Sequence, residues 1–483
     1  MKNLGAAGVA ALNVSALAPA HAANNSQRPN VLWIILDDVR PDGFGCYGTP
    51  WANTPNIDRI AEQGVRFEHA FVQCPICIPS RTSFKTGRYC HEVTGRTMYM
   101  GDPPAQEPPY AATQQERSSL LQPWIEAEMR PINVGKLHAL HDYWDARADP
   151  LQTREDARPG GEGEHFDPVR LTTHGWQIGG TQDVHVDDTR EGLLTEEALN
   201  ICQELAEQDA PFFFRVSFRP PHVPIQVPPD FMLDLDAVDL PWPDGRGLAT
   251  KPRFEREQLR VYCGTLDLSE RDIRVARSSY YGMVNMVDYF VGRIMDEMKT
   301  LGLLDNTIVA VTGEHGLAMG ENGVHKKRSF YDPVVGSPLI YSWPGHLPEG
   351  RTIEDQVEMI DFLPTLLDLS DMAVPEETPG RSLVPLINGE AEGREVVFSE
   401  IDHSGSMYDE LRENSGRQVM ARTEKWKLVY FHDPRVEDKD GALYNLEEDP
   451  WEFFNLYHDP EYKDVIEMLE GYVQDWDQAG NNP

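Results

Sequence analysis

Cysteine and long apolar segments are both scarce in this chain. Six cysteines among 483 residues are too few to hold a fold together by disulfide bonds, so a small disulfide-rich scaffold is excluded. No segment of the sequence approaches the ~18 consecutive apolar residues that a membrane-spanning helix requires, so we expect no membrane span. Hydrophobic residues still make up 40% of the sequence, which is enough for a large buried core.

Positive charge is the second shortage. The chain has 43 lysines and arginines against 79 aspartates and glutamates, which gives a formal net charge of −36. A surface of this sign repels nucleic-acid phosphates and anionic lipids, so we expect no nucleic-acid partner and no attachment to an anionic membrane. An anionic substrate would need a local pocket of basic side chains.

The first 22 residues have the composition of a secretory signal peptide. Lys2 precedes a short Ala-rich apolar stretch that ends in the small-residue sequence Ala20-His21-Ala22. This pattern is typical of a leader that is removed during export. We therefore predict a signal peptide at residues 1–22 and an exported protein, either periplasmic or extracellular.

The pattern that follows the leader predicts an α/β domain. The continuous apolar run at residues 31–36 is typical of a parallel strand covered on both faces, and residues 54–72 continue with a helix and a second strand. Core strands are also predicted at residues 211–218 and within residues 307–316. This alternation indicates a large mixed, mostly parallel sheet that is sandwiched by helices.

The pattern changes in the last fifth of the chain. Short strands joined by turns predict a small antiparallel sheet, followed by a helix at residues 460–475. We therefore divide the chain after its leader into a catalytic α/β domain at residues 23–385 and a C-terminal α+β subdomain at residues 386–483.

Several predicted strands end in polar side chains that suit catalysis. In an open parallel sheet, ligands bind at the carboxyl ends of the strands, so we expect these side chains to share one site. They are Asp37 and Asp38, Lys136 and His138, His222, and the pair Glu314 and His315. Carboxylates are the hard oxygen ligands that suit Ca²⁺ or Mg²⁺, although an isolated Asp-Asp pair is more often a solvated turn or a helix cap.

Basic residues near these strand ends each have a functional and an ordinary interpretation. Lys136 and His138 are two residues apart, so on an extended segment they share one face and suit an anionic substrate, unless they belong to an exposed basic loop. His222 lies between prolines, and a rigidly held histidine suits proton transfer, although it could be a turn residue without a function. Lys326 and Lys327 follow a glycine-rich loop and, taken alone, form a solvated basic pair.

The sequence CPICIPSRTSFKTGR at residues 74–88 supports three interpretations. Cys74 and Cys77 form a C-x-x-C pair, which suits redox chemistry or zinc, but the chain has no second pair of this kind. Both cysteines could instead be buried structural residues. The third interpretation uses the longer pattern from Cys77 to Arg81. On a helix that begins here, Arg81 lies one turn from Cys77, and the helix N-terminus adds positive potential for an anion.

The pattern C-x-P-S-R resembles the signature of formylglycine-dependent sulfatases, which belong to the alkaline-phosphatase-like superfamily. In that family, a formylglycine-generating enzyme oxidises the cysteine to an aldehyde, formylglycine (3-oxoalanine). The resemblance extends over most of the chain in the same order of segments. The similar segments are NVLWIILDD, GKLH, SFRPPHVP, TGEHGLAMGENGVHKKRSFYDP, DFLPTLLDLS and LYNLEEDPWEFFNL. The resemblance implies a sulfuric ester hydrolase that acts on a sulfated small molecule or glycan.

The resemblance also assigns roles to the residues of the strand ends and the cysteine motif. A formylglycine hydrate at Cys77 would attack sulfur with one hydroxyl and release sulfate when the other loses its proton, without a second attack on sulfur. Arg81 would hold this hydrate. Lys136 and Lys327 would balance charge on the transferring group. His138 would transfer the proton of the hemiacetal, and His222 would transfer a proton to the leaving oxygen, although these two roles could be exchanged.

A divalent cation, Ca²⁺ with Mg²⁺ as the alternative, is the cofactor that the resemblance implies. Its ligands would be Asp37, Asp38, the modified Cys77, Glu314 and His315. One of these positions departs from the family, whose third carboxylate ligand is usually Asp followed by Asn or His. The extra methylene of Glu314 can shift a ligand oxygen by about 1 Å, which is too much for a rigid site unless the backbone compensates.

Two alternative functions stay open at this point. One is a phosphonate or phosphate mono- or diesterase of the same superfamily, although Lys136 and His138 favour a sulfatase. The other is a catalytically silent glycan-binding homologue, although the intact cysteine motif argues against it. We predict a sulfated carbohydrate as the substrate, because an exported enzyme meets such polymers outside the cytoplasm.

Overall fold

The computed structural model describes residues 28–94, 119–129, 131–137, 144–147, 165–171, 175–240, 248–258, 264, 267–402, 417–432 and 440–480. The predicted signal peptide at residues 1–22 and the candidate base His138 lie outside these ranges. Across the described ranges, no helix is both long enough and apolar enough to cross a membrane.

In the described part of the chain, the strands form one large sheet and three smaller ones. Their bounds are β1 (Asn30–Leu36), β2 (Gly64–Phe71), β3 (Ile132–Gly135), β4 (Asp145–Arg147), β5 (Val169–Arg170), β6 (Gln177–Gly179), β7 (Phe213–Phe218), β8 (Thr307–Gly313), β9 (Ala318–Met319), β10 (His325–Lys326), β11 (Leu339–Ser342), β12 (Arg351–Glu358), β13 (Val397–Asp402), β14 (Arg417–Arg422), β15 (Trp426–His432) and β16 (Gly441–Asn445). The main sheet has eight strands in the order β12-β2-β11-β8-β1-β7-β3-β4. Strand β11 runs antiparallel to both of its neighbours, and the other pairings are parallel. The predicted mixed, mostly parallel sheet is therefore confirmed.

The central strand β1 is buried on both faces, as its apolar run predicts. Trp33 and Ile35 belong to one hydrophobic cluster, and Leu32 and Ile34 belong to the cluster on the opposite face. Successive side chains of a strand point to opposite faces, so an unbroken apolar run supplies both cores at once. Each fully buried aliphatic side chain of this kind contributes about 1.5–3 kcal/mol to folding.

Helices cover both faces of this sheet. Their bounds are α1 (Pro55–Glu62), α2 (Cys77–Thr86), α3 (Cys90–Thr94), α4 (Gln122–Glu126), α5 (Arg190–Ala206), α6 (Arg253–Gln258), α7 (Glu270–Thr300), α8 (Asp332–Val335), α9 (Phe362–Leu369), α10 (Val384–Ile387) and α11 (Lys463–Gly480). The longest, α7, begins with a capping box in which Ser269 and Asp272 each accept a hydrogen bond from the other's backbone amide. It ends before Gly302, whose φ of +71° suits a glycine at a helix C-terminus.

The C-terminal part of the chain forms the predicted small antiparallel sheet, in the order β13-β14-β15-β16. Helix α11 packs against it, and Trp476 stacks on Phe398 with 4.9 Å between the ring centroids. Ile401 and Met420 of this sheet belong to the same hydrophobic cluster as Trp33 of the main sheet. The two sheets therefore share a continuous core, and the boundary at residues 385 and 386 stays a prediction.

Candidate active site

Four of the predicted polar segments lie at one edge of the main sheet. Strands β8, β1, β7 and β3 are consecutive neighbours, and β8 and β7 both run parallel to β1. Their carboxyl ends lead to Glu314, Asp37, His222 and Lys136. The topology therefore brings together residues that are far apart in sequence, as expected for parallel strands.

The cysteine motif faces this edge from helix α2. Cys77 is the first residue of the helix, after Ile76 in an extended conformation, and Arg81 follows one turn later. The helix ends at Gly87, whose φ of +64° is left-handed and whose amide donates to the Ser83 carbonyl at 2.8 Å. Cys77 and Arg81 are both buried, so the predicted helix delivers both side chains into the interior at the strand ends.

Arg81 is held between two carboxylates. Its Nε donates to Glu314, and its Nη2 donates to Asp37 Oδ1 at 3.4 Å. Its Nη1 donates to the hydroxyl of Ser217 at 3.2 Å. Burial alone would lower the pKa of Arg81, but the Glu314 and Asp37 carboxylates raise it. The guanidinium is therefore a permanent cation that joins helix α2 to three strand ends.

Lys136 forms the second ion pair of the site. Its Nζ donates to Asp37 and lies 3.9 Å from Glu314 Oε1. Burial alone would raise the pKa of Asp37, but the Lys136 ammonium holds it well below its usual range. Burial likewise acts to lower the pKa of Lys136, and the Asp37 carboxylate raises it overall. Both groups are therefore charged at neutral pH.

Lys327 contacts the motif cysteine directly. Its Nζ lies 2.7 Å from Cys77 Sγ and 2.8 Å from Asp38 Oδ1. Burial alone would lower the pKa of Lys327, but the Asp38 carboxylate raises it well above the ordinary value. The structure brings Lys327 to the site, whereas Lys326 contacts the ring of Trp176.

The two histidines of the cluster are oriented by neighbouring carbonyl groups. His222 Nδ1 lies 2.6 Å from the Val223 carbonyl oxygen, and His315 Nδ1 lies 2.9 Å from the Gly316 carbonyl oxygen. Because a carbonyl oxygen only accepts hydrogen bonds, each Nδ1 carries the proton. The Nε2 atoms then face Asp38, at 4.0 Å from Oδ2 for His222 and 3.5 Å from Oδ1 for His315.

This arrangement leaves acceptor atoms facing one another. Asp38 Oδ2, Glu314 Oε1 and His315 Nε2 are buried and have no hydrogen-bond partner among the described residues. His315 Nε2 lies 3.4 Å from Glu314 Oε1, so in the neutral imidazole its lone pair faces a carboxyl oxygen. Buried acceptors of this kind are costly unless a cation or a donor lies between them.

The same atoms form a group of the right size for a cation. Ligand atoms of Asp38, Cys77, Glu314 and His315 all lie within 4.8 Å of one another. A second group joins Asp37, Cys77 and His222. The carboxylate oxygens of these groups suit a hard divalent cation such as Ca²⁺, and each group also holds one cysteine sulfur and one imidazole nitrogen. Cys77 belongs to both groups and Cys74 to neither, so the described residues give no support to a zinc site at the C-x-x-C pair.

Backbone geometry and three further side chains complete the site. Asp38 has a left-handed φ of +60°, which turns the strand end. The Tyr280 hydroxyl donates to the Asp38 carbonyl at 2.8 Å, and the Ser80 hydroxyl donates to the Glu314 carbonyl. The sequence alone assigns no role to Ser80, Ser217 or Tyr280. Ser80 lies within the quoted motif, but no sequence pattern distinguishes Tyr280 on its helix.

Comparison with known proteins identifies the family. The sulfatase family model matches residues 29–372. The chain belongs to the sulfatase family. A second family model, the C-terminal region of N-sulphoglucosamine sulphohydrolase, matches residues 320–479, which include the small antiparallel sheet.

Two relatives agree with this membership over nearly the whole chain. An arylsulfatase of Clostridium perfringens is 26% identical over 92% of this chain and 93% of its own length. An N-acetylglucosamine-6-O-sulfatase of Bacteroides thetaiotaomicron is 24% identical over 95% of this chain and 89% of its own. This sulfatase is therefore a sulfuric ester hydrolase.

Solved structures support the fold. A phosphonate monoester hydrolase of Agrobacterium radiobacter superposes with a TM-score of 0.75 at 23% identity, and the match covers 94% of this chain and 95% of the other. At this level of identity the likeness concerns the fold alone. The sulfatase fold thus also occurs in a hydrolase that acts on a phosphonate ester.

Proposed function

We propose that this sulfatase removes a sulfate group from a carbohydrate, with Cys77 converted to formylglycine as the nucleophile and a divalent cation beside it. One observation carries the proposal. Cys77 opens helix α2 next to Lys327 and Asp38, where unpartnered buried ligand atoms of Asp38, Glu314 and His315 converge.

The charges of the site support an anionic substrate. Three carboxyl groups and three permanent cations lie together here: Asp37, Asp38, Glu314, Arg81, Lys136 and Lys327. Burial raises the pKa of Glu314 well above its ordinary value although Arg81 acts to lower it, so the three cations at least balance the negative charge of the carboxyl groups. A divalent cation would therefore give the site a surplus positive charge. That surplus attracts a sulfate ester locally, although the chain as a whole has a formal net charge of −36.

The contacts of Cys77 suit nucleophilic chemistry after its conversion. A hydrated aldehyde at this residue supplies one hydroxyl for attack on sulfur and a second whose proton loss releases sulfate. Lys327 Nζ, 2.7 Å from Sγ, is close enough to neutralise negative charge that develops on an oxygen at this position. Arg81 would hold the hydrate from one turn along the helix, while its own contacts with Glu314 and Asp37 fix its position.

Proton transfer to the leaving alcohol falls to His222 in this proposal. Its ring is fixed by the Val223 carbonyl and faces Asp38. Its side chain is 18% exposed, whereas the Asp38 side chain is 1% exposed, so His222 lies on the side from which an alcohol could leave. His138 stays the predicted partner for the hemiacetal proton, and the two roles could still be exchanged.

The proposed cation is Ca²⁺, with Mg²⁺ as the alternative. Its ligands would be Asp38, the modified Cys77, Glu314 and His315, which form the first group, together with Asp37, which lies with Cys77 in the second group. When bound, such a cation lowers the pKa of a hydroxyl beside it and attracts sulfate oxygens. The unpartnered carboxylate oxygens of Asp38 and Glu314 are the kind of donor that these hard cations prefer.

The biological setting is also part of the proposal. Residues 1–22 would direct export to the periplasm or the cell exterior, and a formylglycine-generating enzyme would convert Cys77. The carbohydrate substrate is supported by the relative whose name states that it acts on N-acetylglucosamine-6-O-sulfate groups. Specificity for one sugar would then depend on the loops around the site.

A second candidate function is hydrolysis of a phosphonate or phosphate ester at the same site. The structural likeness to a phosphonate monoester hydrolase favours it, because tetrahedral anionic groups of phosphorus and sulfur place similar demands on a site. Lys136, paired with Asp37, and His138 favour the sulfate ester.

Mass spectrometry combined with an assay tests both parts of the proposal. The protein is produced with a formylglycine-generating enzyme, and the tryptic peptide of residues 67–81 is weighed. We expect an aldehyde at Cys77 and an unmodified thiol at Cys74. The protein should release sulfate from 4-nitrophenyl sulfate faster than phosphate from 4-nitrophenyl phosphate. Cys77→Ala should remove this activity and Cys74→Ala should keep it.

Two results would overturn the proposal. Full activity with an unmodified Cys77 would exclude the formylglycine nucleophile. Faster hydrolysis of the phosphate ester, or of an aryl phosphonate monoester, would favour the second candidate function.

A further inference from the structure

Trp176 is an exposed aromatic residue held in place by a buried lysine. Its side chain is 37% exposed, and the Lys326 ammonium lies 3.5 Å from the centre of its ring. Lys326 itself is only 3% exposed. A cation at this distance from an indole is attracted to the face of the ring and restricts its orientation. Trp176 therefore presents a fixed aromatic surface to solvent.

Two segments of the proposed active site flank this aromatic surface. On one side, Lys326 precedes Lys327, whose Nζ contacts Cys77. On the other side, the carbonyl of Gln177 accepts a hydrogen bond from the Ile225 amide at 3.0 Å, close after His222 in the chain. Trp176 is thus connected, through Lys326 and Gln177, to the two segments that carry Lys327 and His222.

Differences in exposure show where the mouth of the site lies. The side chains of His222 and Lys327 are 18% and 12% exposed. The other side chains of the cluster are 7% exposed or less: Asp37, Asp38, Arg81, Lys136, Glu314 and His315. Solvent therefore reaches the cluster from the side of His222 and Lys327, whose segments are the two that Trp176 and Gln177 contact.

The backbone beside Trp176 has an unusual conformation. Lys326 has a φ of +106° and Arg328 a φ of +74°, which residues with a Cβ rarely adopt. Conformations of this kind persist where surrounding contacts hold them, and they concentrate at functional sites. Here they allow two consecutive lysines to serve different contacts, Lys327 at Cys77 and Lys326 at Trp176.

We propose that Trp176, backed by Lys326, forms a subsite for the ring of the alcohol that carries the sulfate, a pyranose in a carbohydrate substrate. The flat indole would bind the apolar C–H face of the sugar ring, while the sulfate group reaches the charged cluster. This inference rests on the proposed function, since it concerns the part of the same substrate that leaves from the side of His222.

Competition kinetics test the subsite with the cation-loaded, formylglycine-containing enzyme. The reporter substrate is 4-nitrophenyl sulfate, and the competitors are N-acetylglucosamine 6-sulfate, which carries a pyranose, and inorganic sulfate, which has no ring. In Trp176→Ala, we expect the inhibition constant of the sugar sulfate to rise about 5- to 10-fold. That of inorganic sulfate should stay within about twofold, because inorganic sulfate contacts only the charged cluster.

Two matched variants control this experiment. Trp176→Phe keeps an aromatic face and should restore most of the affinity for the sugar sulfate. Trp451→Ala removes another exposed tryptophan, which lies in the C-terminal part of the chain, and should leave both inhibition constants unchanged.

Three outcomes would overturn the inference. The first is an unchanged inhibition constant of the sugar sulfate in Trp176→Ala. The second is an equal rise in the inhibition constants of both competitors. The third is that the sugar sulfate does not compete at all in the formylglycine-containing enzyme without substitutions. Failure of the proposed function would look different, because the formylglycine-containing enzyme without substitutions would then release no sulfate from 4-nitrophenyl sulfate.

Discussion

Two buried charged clusters in this molecule differ in how completely their atoms are paired. The first lies under the C-terminal sheet, where the fully buried Lys427 donates to Asp332 at 2.5 Å and to Glu452 at 2.6 Å. Lys427 also donates to the Phe330 carbonyl at 2.9 Å, and Arg422 donates to Asp332 at 3.0 Å. Within the described residues, every buried charged atom of this cluster has a partner.

The second cluster, beside Cys77, is equally buried but incompletely paired. Asp38, Glu314 and His315 each keep one buried atom without a hydrogen-bond partner among the described residues, and Glu314 Oε1 has only the distant Lys136 ammonium at 3.9 Å. A fully paired cluster joins elements of the fold, here helix α8 to the C-terminal sheet. An incompletely paired cluster that converges on one point is suited to a ligand that completes it.

The largest effect should come from breaking the paired cluster with Lys427→Met. The substitution keeps much of the side-chain volume but leaves Glu452 and Asp332 without their shared cation in the interior. We expect the free energy of unfolding to fall by about 3–5 kcal/mol. Chemical denaturation measures this change, and the activity per folded molecule should stay near that of the unmodified chain.

The loss should also depend on pH. Burial raises the pKa of Glu452 to about 6 even with Lys427 beside it, and removal of the lysine would raise the pKa further. A carboxyl with a raised folded-state pKa favours folding when protonated and opposes folding as pH rises through that pKa. Below about pH 6 the two chains lose stability in parallel, so the difference between Lys427→Met and the chain without substitutions should grow as the pH rises above about 6.

Lys425→Met is the matched control for this variant. Lys425 lies just before the same strand and pairs with Glu447 at 2.6 Å, but the two side chains are 44% and 58% exposed. Exposed pairs of this kind contribute about 0–1 kcal/mol. Similar losses of stability in the two variants would show that the buried cluster has no special structural role.

A smaller effect, on metal binding, should follow from Glu314→Asp. One oxygen of the Glu314 carboxyl group accepts a hydrogen bond from Arg81 Nε, and the other oxygen faces His315. Shortening it by one methylene moves an oxygen by about 1 Å, so Asp could not keep both contacts. We expect the Ca²⁺ dissociation constant, measured by calorimetric titration, to rise by about 10- to 100-fold.

Glu314→Gln separates charge from length at the same position. It keeps the side-chain length but removes the negative charge, so it should also weaken binding of the cation. Tighter binding by Glu314→Asp would mean that glutamate is a strained replacement at this site. Changes below about twofold in both variants would mean that Glu314 is not a ligand.

Sequence patterns predicted the elements that carry the site better than the contacts between them. Two of these elements could be predicted from neighbouring residues alone. The apolar run of β1 indicates a strand buried on both faces, and the motif at Cys77 indicates the start of a helix. The two aspartates, Lys136 and Glu314 could be placed together because parallel strands align their carboxyl ends.

Contacts between distant elements were not predictable in this way. Strand β11 lies antiparallel between β2 and β8. The backbones of β2 and β11 approach so closely at Gly64 that a Cβ there would lie only 2.1 Å from the Tyr341 carbonyl oxygen of β11. The hydrogen bond from Tyr280 to Asp38 and the contact of Lys326 with Trp176 join residues more than a hundred positions apart. No local pattern encodes either pairing.

Thermal unfolding with and without Ca²⁺ tests the central claim, that the unpartnered acceptors beside Cys77 bind a cation. After removal of metal with a chelator, Ca²⁺ at about 100 times its dissociation constant should stabilise the unmodified chain by about 2.7 kcal/mol. Lys427→Met should show the same increase from a lower starting stability, and Asp38→Asn should show little or none. The claim would be contradicted if Ca²⁺ did not stabilise the unmodified chain, or if it stabilised Asp38→Asn to the same extent.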